Sequence, residues 1–289
     1  MIIEENKKIN QSKKLTKTEL AKSLGVSRQS LYYKPIRESK DLITKAEIEK
    51  VMGVHKSYGH KRIAIELQMN KKKIRRLMKK YDMKPFRRRV KKPFKQDDIN
   101  KPATIFKNEI KGFCPIRPNV VWVADFTYMK FKGKFFYVAT VMDLFTREII
   151  GWSVSVRHDH RLVLEALDMA LSKTKTLPLF FHSDQGSEYD SIDCITKLQE
   201  NNIIVSMSAK GHPWENGFQE SFYSQFKVDL GWPDQYETFG ELIEAIHLQM
   251  NYYNKSRIHT SLKMSPVKFR VLYYSKSLIS NSPRRRQLV

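Results

Sequence analysis

The stretch VVWVADFTYMKFKGKFFYVATVMDLFTREIIGWSVSV, residues 120–156, decides the fold. It holds three runs rich in Val, Ile, Phe, Tyr and Trp, broken at Lys132–Gly133–Lys134 and near Thr146–Arg147. Such residues suit a pleated, half-buried surface, and breaks this short join neighbours, so the reading is an antiparallel three-stranded meander. Working outward, HRLVLEALDMALSKT (160–174) has the apolar spacing of an amphipathic helix. PLFFHS (178–183) reads as a buried strand, SIDCITKLQENN (191–202) as a helix and IIVSMS (203–208) as a last strand. PWENGFQESFYSQFKVDL (213–230) and TFGELIEAIHLQMNYYN (238–254) complete the set as helices.

Meander, helix, strand, helix, strand, helix is the order of a ribonuclease-H-like α/β fold, a mixed five-stranded sheet with flanking helices. That order places Asp125 centrally on the first strand and Asp184 at the C-terminal end of the fourth. Glu220, on a helix packed beside that edge, converges with them. A carboxylate in an apolar strand costs several kcal/mol unless it is paired or binds metal, so Asp125 is the sharpest of the three. A salt bridge is the alternative for Asp125, turn formation before Gly186 for Asp184, and an ordinary surface position for Glu220. Hard divalent cations take carboxylate oxygens, and two-metal sites for in-line phosphoryl displacement are built from them.

The chain of 289 residues carries a formal net charge of +23 and a pI near 9.8. Residues 1–100 hold 29 Lys and Arg against 11 Asp and Glu, and residues 101–289 hold 24 against 19. A phosphate polymer is the expected partner, gripped by the N-terminal third, because neutralising phosphates releases counterions. Cys114 and Cys194 lie far apart with no CxxC spacing, which argues against a disulfide framework or zinc site. No pair of cysteines follows His55 and His60 at ligand spacing. A polar N-terminus and the lack of a long apolar run argue against a signal peptide and a membrane span, so the expectation is a soluble, intracellular protein.

In LTKTELAKSLGVSRQSLYYKP, Thr16 with Glu19 makes a capping box that opens a short helix. Gly25 turns the chain, Ser27 caps a second helix and Pro35 stops it. This reads as a helix-turn-helix with Arg28, Gln29 and Tyr32 on the groove-facing helix, with a plain helical hairpin as the alternative. Further on, Thr44 with Glu47 reads as another capping box, and SYGHKRIAIELQ as a helix. Asn70 caps KKKIRRLMKKY, whose Ile74, Leu77, Met78 and Tyr81 pack while Lys72, Arg75, Arg76 and Lys79 face out. Charges of one sign on one face repel unless phosphates relieve them. The proline-bearing basic stretch that follows, including Arg87 and Arg88, reads as a linker tracking the DNA backbone. The expected segments are 1–35 (helix-turn-helix), 36–83 (helical basic domain), 84–118 (basic linker), 119–235 (catalytic core) and 236–289 (C-terminal helix and tail).

HSDQGSEY (182–189), NGFQESFYSQFK (216–227) and YYNKSRIHTSLKMSP (252–266) resemble bacterial insertion-sequence transposases of the DDE class. More narrowly, the chain resembles the second-frame (OrfB) protein of the insertion sequence three family, with a retroviral-integrase-like core. KSYGHKRI (56–63) and IRRLMKKYDMKP (74–85) resemble that family's N-terminal DNA-binding segment. The resemblance implies metal ligation by Asp125, Asp184 and Glu220, with two Mg²⁺ (or Mn²⁺) ions. It implies that Lys227 faces the same DNA strand, and that Asn216 matches the Asn before the catalytic helix. Tyr253, Asn254, Arg257, His259 and Pro266 match the C-terminal signature. The substrates implied are double-stranded DNA, both the element's terminal inverted repeats and a target, handled by a homo-oligomer with an upstream first-frame (OrfA) partner. Gly217 departs from the usual Ala at its position. A DNA-binding regulator with a lapsed core and a ribonuclease-H-type nuclease are the rival readings. The complete trio opposes the first, and a front end shaped for a B-form major groove opposes the second.

Overall fold

A computed structural model describes residues 16–32, 36–88, 105–209 and 216–280. The stop at Pro35, the middle of the basic linker, the first residues of PWENGFQESFYSQFKVDL and the terminal PRRRQLV lie outside the described residues.

The meander forms as read. Strands β1 (Val121–Phe131), β2 (Lys134–Asp143) and β3 (Ile149–Ser155) pair antiparallel. Lys132 and Gly133 turn the first hairpin, both at positive φ (47° and 83°), and Arg147 (φ 62°) sits in the second turn. Helix α5 (His160–Lys173) crosses back to β4 (Phe180–Ser183), and α6 (Ile192–Glu200) leads to β5 (Ile204–Met207). Both late strands run parallel to β1, giving the order β3-β2-β1-β4-β5. The sheet is therefore mixed and five-stranded, with helices on both faces.

Two apolar cores, one per face, follow from strand alternation. Trp122, Ala124, Val141 and Phe181 bury under α5 and α6. Val121, Val123, Val138 and Met142 bury under α7 (Gly217–Leu230) and α8 (Phe239–Lys255). The α5 contact is especially close at Gly151 of β3, where a Cβ would meet the Ala166 carbonyl oxygen at 2.0 Å. Leu242, Ile246, Met250 and Tyr253 of α8 belong to this same core.

The N-terminal region is helical, with two corrections. Thr16 and Glu19 do form a reciprocal capping box for α1 (Lys17–Ser23), and Gly25 adopts φ 63°. The expected second helix, however, is a five-residue 3₁₀ segment, Arg28–Tyr32, in which Ser27 Oγ meets Ser30 at the first turn. Thr44 is not a cap. It lies inside one continuous helix, α2 (Ile36–Val54), where its hydroxyl donates to the Lys40 carbonyl one turn back. Helices α3 (His60–Glu66) and α4 (Lys71–Lys80, capped by Asn70) pack with α2 around Ile48, Tyr58, Ile63, Ile74 and Leu77. Ile258, beyond α8, fills this third core. Arg62 Nε donates to the Ile258 carbonyl and the Ile258 N–H to Tyr58 Oη, while His55 Nδ1 lies 2.7 Å from Tyr252 Oη. Helix α9 (Pro266–Ser280) packs on α8. Among the described residues, no helix is long and apolar enough to cross a membrane.

Candidate active site

Parallel pairing sets the two aspartates side by side. The β1–β4 ladder aligns Val121 with Phe180, Trp122 with Phe181 and Val123 with His182. The same register carried two residues further brings Asp125 level with Asp184, on strands about 5 Å apart. Alternation puts Asp125 on the face of Val121 and Val123, toward α7. Both aspartates are half-buried. Asp125 Oδ1 accepts the Phe126 N–H (2.8 Å), and Asp184 Oδ1 accepts the Gly186 N–H (3.0 Å). Asp184 thus also serves its turn, as Asp before Gly commonly does.

Helix α7 lies along β1 through polar side chains. Asn216 Nδ2 donates to the Ala124 carbonyl, Gln219 Nε2 to Val123, Tyr223 Oη to Asp125 and Lys227 Nζ to Tyr128. Gln219 and Tyr223 also meet the Thr140 hydroxyl on β2. Glu220, four residues after Asn216 and seven before Lys227, lies at the outer edge of this row. It is exposed, in the first turn of α7.

Buried groups crowd the aspartate rim. A Cβ on Gly186 would lie 2.7 Å from Glu188 Oε2 and 3.0 Å from Asp184 Oδ1, so two carboxylates reach into one carbon-sized gap that only glycine leaves open. Glu188 is buried and its other oxygen meets His158 Nε2 at 2.9 Å. The His158 ring stacks on Tyr137 and tilts against Phe126, the neighbour of Asp125. Burial, then the nearby Asp125 charge, pushes the Tyr189 and Tyr223 phenols well above their ordinary range. Burial also lowers the Lys227 ammonium to about 8, with Arg88 adding to the shift and Asp125 opposing it.

Among the described residues, no three His, Cys, Asp or Glu side chains are drawn close enough to enclose a metal ion. The donors nonetheless suit a hard cation. Mg²⁺ is bound through one or two carboxylates and completes its shell with water and substrate phosphate. The Asp125–Asp184 pair matches that demand, and the buried Tyr189 hydroxyl, which feels both charges, lacks a partner among the described residues.

The other sequence-predicted contacts are spread widely. Arg28, Gln29 and Tyr32 are exposed on the 3₁₀ segment, and Lys72 and Arg75 are exposed on α4. Arg76 does not simply face out: its guanidinium makes a two-pronged pair with buried Asp41 (2.5 and 2.9 Å), which Lys80 joins. Arg87 donates to the Ser57 carbonyl. Arg88 stacks on the Trp232 ring (4.2 Å) and donates to the Gly231 carbonyl at the end of α7. Asn216 is buried against β1. Arg257 of the C-terminal signature is buried, pairing with Asp229 and Gln225 of α7. Sequence reasoning missed Gln219, Tyr223, Thr140, His158 and the buried roles of Glu188 and Tyr189. The last two stood in the quoted HSDQGSEY motif, but nothing in their spacing marked them as buried.

Residues 115–213 and 201–266 match the integrase core domain. The insertion element IS600 31 kDa protein of Shigella sonnei is 31% identical over 265 residues, covering 86% of this chain and 97% of that protein. The chain belongs to the insertion-sequence transposases. Within them it is of the insertion sequence three, DDE type. The IS904 transposase of Lactococcus lactis is 38% identical over 152 residues, 52% of this chain and 60% of that protein. Among solved structures, the magnesium-bound catalytic core of HTLV-2 integrase is 17% identical with a TM-score of 0.42, covering 54% of this chain and 98% of that one.

Proposed function

We propose that this transposase nicks the 3′ ends of its insertion sequence and transfers them to new DNA at a site held by Asp125, Asp184 and Glu220. The observation that carries this reading is the parallel β1–β4 ladder, whose register, continued two residues past Val123 and His182, sets Asp125 beside Asp184, together with the tie between Asp125 and the helix that bears Glu220. Bound divalent cations, two by this reading, supply Lewis acidity at phosphorus and a nucleophile at neutral pH. Asp125 and Asp184 hold them from the sheet, and Glu220 completes the set from α7. Gln219 and Tyr223 tie α7 to β1, which holds the turn that carries Glu220 against the strand of Asp125.

Both steps are attacks by an oxygen on phosphorus with another oxygen leaving. Water attacks first, releasing a 3′-hydroxyl, and that hydroxyl attacks a second phosphodiester. One set of carboxylates serves both. Lys227 and Arg88, near the far end of α7, offer positive charge to the strand that runs past the site. Arg28, Gln29, Tyr32, Lys72, Arg75, Arg76 and Arg87 contribute to the grip on duplex terminal repeats, with Asn216 holding the start of α7. Joining two ends calls for two active sites or one used twice, so a homo-oligomer, working with a first-frame partner in the bacterial cytoplasm, fits the reaction.

The test is incubation of the full chain with labelled element-end duplex and Mg²⁺. Metal-dependent 3′-nicking is expected, and its loss in Asp184→Asn. Nicking that persists undiminished in Asp184→Asn would overturn the assignment.

A further inference from the structure

Tyr189 is 1% exposed, yet its hydroxyl has no hydrogen-bond partner among the described residues. An unpartnered buried hydroxyl costs about 1–3 kcal/mol, and a phenylalanine would fill the same space without that cost. Native structures rarely keep such a group without a use for it.

The surroundings say what the use is. The Tyr189 N–H bonds the Gly186 carbonyl, closing the turn that Asp184 opens. Its ring edge faces the gap above Gly186: a Cβ there would be 3.3 Å from Tyr189 Cδ2 and 3.0 Å from Asp184 Oδ1. On its other side the ring tilts against Phe181 of β4, 6.5 Å between centroids. Phe181 and the Cys194–Leu198 side of α6 belong to the same core, so the ring is walled in by apolar neighbours. Burial, with the Asp125 and Asp184 charges adding to it, keeps the phenol protonated, so it carries a hydrogen to donate. A buried hydroxyl close enough to feel both carboxylates, yet bonded to neither, is suited to a water molecule that the pair's cation carries.

We propose that Tyr189 is a positioning residue of the active site, donating its hydroxyl hydrogen to a water in the shell of a divalent cation held by Asp125 and Asp184. The inference rests on the reading of that pair as the metal site. By orienting the shell, the hydroxyl favours one arrangement of the cation over the several that two half-buried carboxylates permit. Groups of this outer kind typically change metal affinity or activity by about 10- to 100-fold.

The experiment compares wild type, Tyr189→Phe and Asp184→Asn as full chains, by Mn²⁺ titration calorimetry, metal-free thermal melting and nicking kinetics. For Tyr189→Phe the expected results are about tenfold weaker Mn²⁺ binding, a metal-free melting temperature equal to or above wild type, and a lower kcat with unchanged KM for DNA. The opposite signs are the signature, since a purely structural tyrosine would lower the melting temperature and leave Mn²⁺ affinity alone. Wild-type Mn²⁺ affinity in Tyr189→Phe, with binding lost in Asp184→Asn, would sink the role of Tyr189 and leave the site intact. Wild-type affinity in both variants would sink the reading of the site as well.

Discussion

Gly186→Ala tests whether the carboxylate gap is needed for chemistry or only tolerated by the fold. The new Cβ would sit 2.7 Å from Glu188 Oε2, 3.0 Å from Asp184 Oδ1 and 3.3 Å from Tyr189 Cδ2. The backbone itself raises no objection, because Gly186 is not among the residues at positive φ. Relief must come from the side chains. Glu188 is the easier to displace, but moving it lengthens its 2.9 Å contact with His158. Overpacking of this kind costs about 1–3 kcal/mol, and a pair with a partly exposed histidine adds under about 1 kcal/mol. The variant therefore folds, with a urea midpoint modestly reduced. Catalysis is less forgiving, since a misplacement of about 1 Å costs about 100-fold in rate. The assay is single-turnover nicking of a labelled element end at saturating Mn²⁺, run beside a urea melt of the same preparation. A folded Gly186→Ala protein that nicks within threefold of wild type would refute the argument.

Gly151→Ala should be a stability defect of about 3 kcal/mol or more in denaturant melts, because the added carbon meets backbone, 2.0 Å from the Ala166 oxygen, and helix α5 cannot yield cheaply. Gly217→Ala should do the reverse, raising stability by about 0.5–1 kcal/mol in the same assay, since nothing lies within 4 Å of its Cβ position in the first turn of α7. Arg257→Ala should cost about 3–5 kcal/mol by stranding buried Asp229, and the double variant with Asp229→Ala should recover part of that loss. For Lys227 the pH dependence has two signs. Its ammonium is present below about 8 and lost above, so duplex affinity measured by anisotropy should fall between pH 7 and 9 more steeply in wild type than in Lys227→Gln. Stability runs the other way. The unfolded chain binds more protons between about 8 and the ordinary value of 10.5, so this lysine's unfavourable contribution shrinks as pH rises through that window.

The sheet was legible because each strand carried its own signal. The run 120–156 contains β-formers in three blocks, and the order of elements after it fixed the parallel strands. Asp125 stood out as a charge in an apolar strand, whereas Asp184, just past the buried run of β4, carried the weaker signal of an Asp opening a turn. Glu188 and Tyr189 were not legible, because burial of a loop residue depends on what folds over it, here the His158 loop and the Gly186 turn. Helix α7 misled differently. Its sheet-facing row is Asn216, Gln219, Tyr223 and Lys227, polar groups that pair with β1 carbonyls, and apolar periodicity cannot reveal such a face. The front end showed the limits of local rules. Thr44 and Glu47 have the spacing of a capping box, yet the surrounding nineteen-residue helix α2 runs straight through them. Ser27 has cap chemistry, but the segment after it closes as 3₁₀ turns.

The seating of Ile258 among Ile48, Tyr58, Ile63 and Leu77 has a bearing on how the chain is born. Everything else in that small core has left the ribosome by residue 88, while the plug arrives some 170 residues afterwards. At synthesis speeds of about 5–20 residues per second that is an interval of roughly 10 to 30 s, during which the nascent front end carries an unfilled socket and the bare Tyr58 hydroxyl. Chaperones have that interval to attend to it, and a ribosome that stops short of residue 258 releases a product whose basic head is never closed.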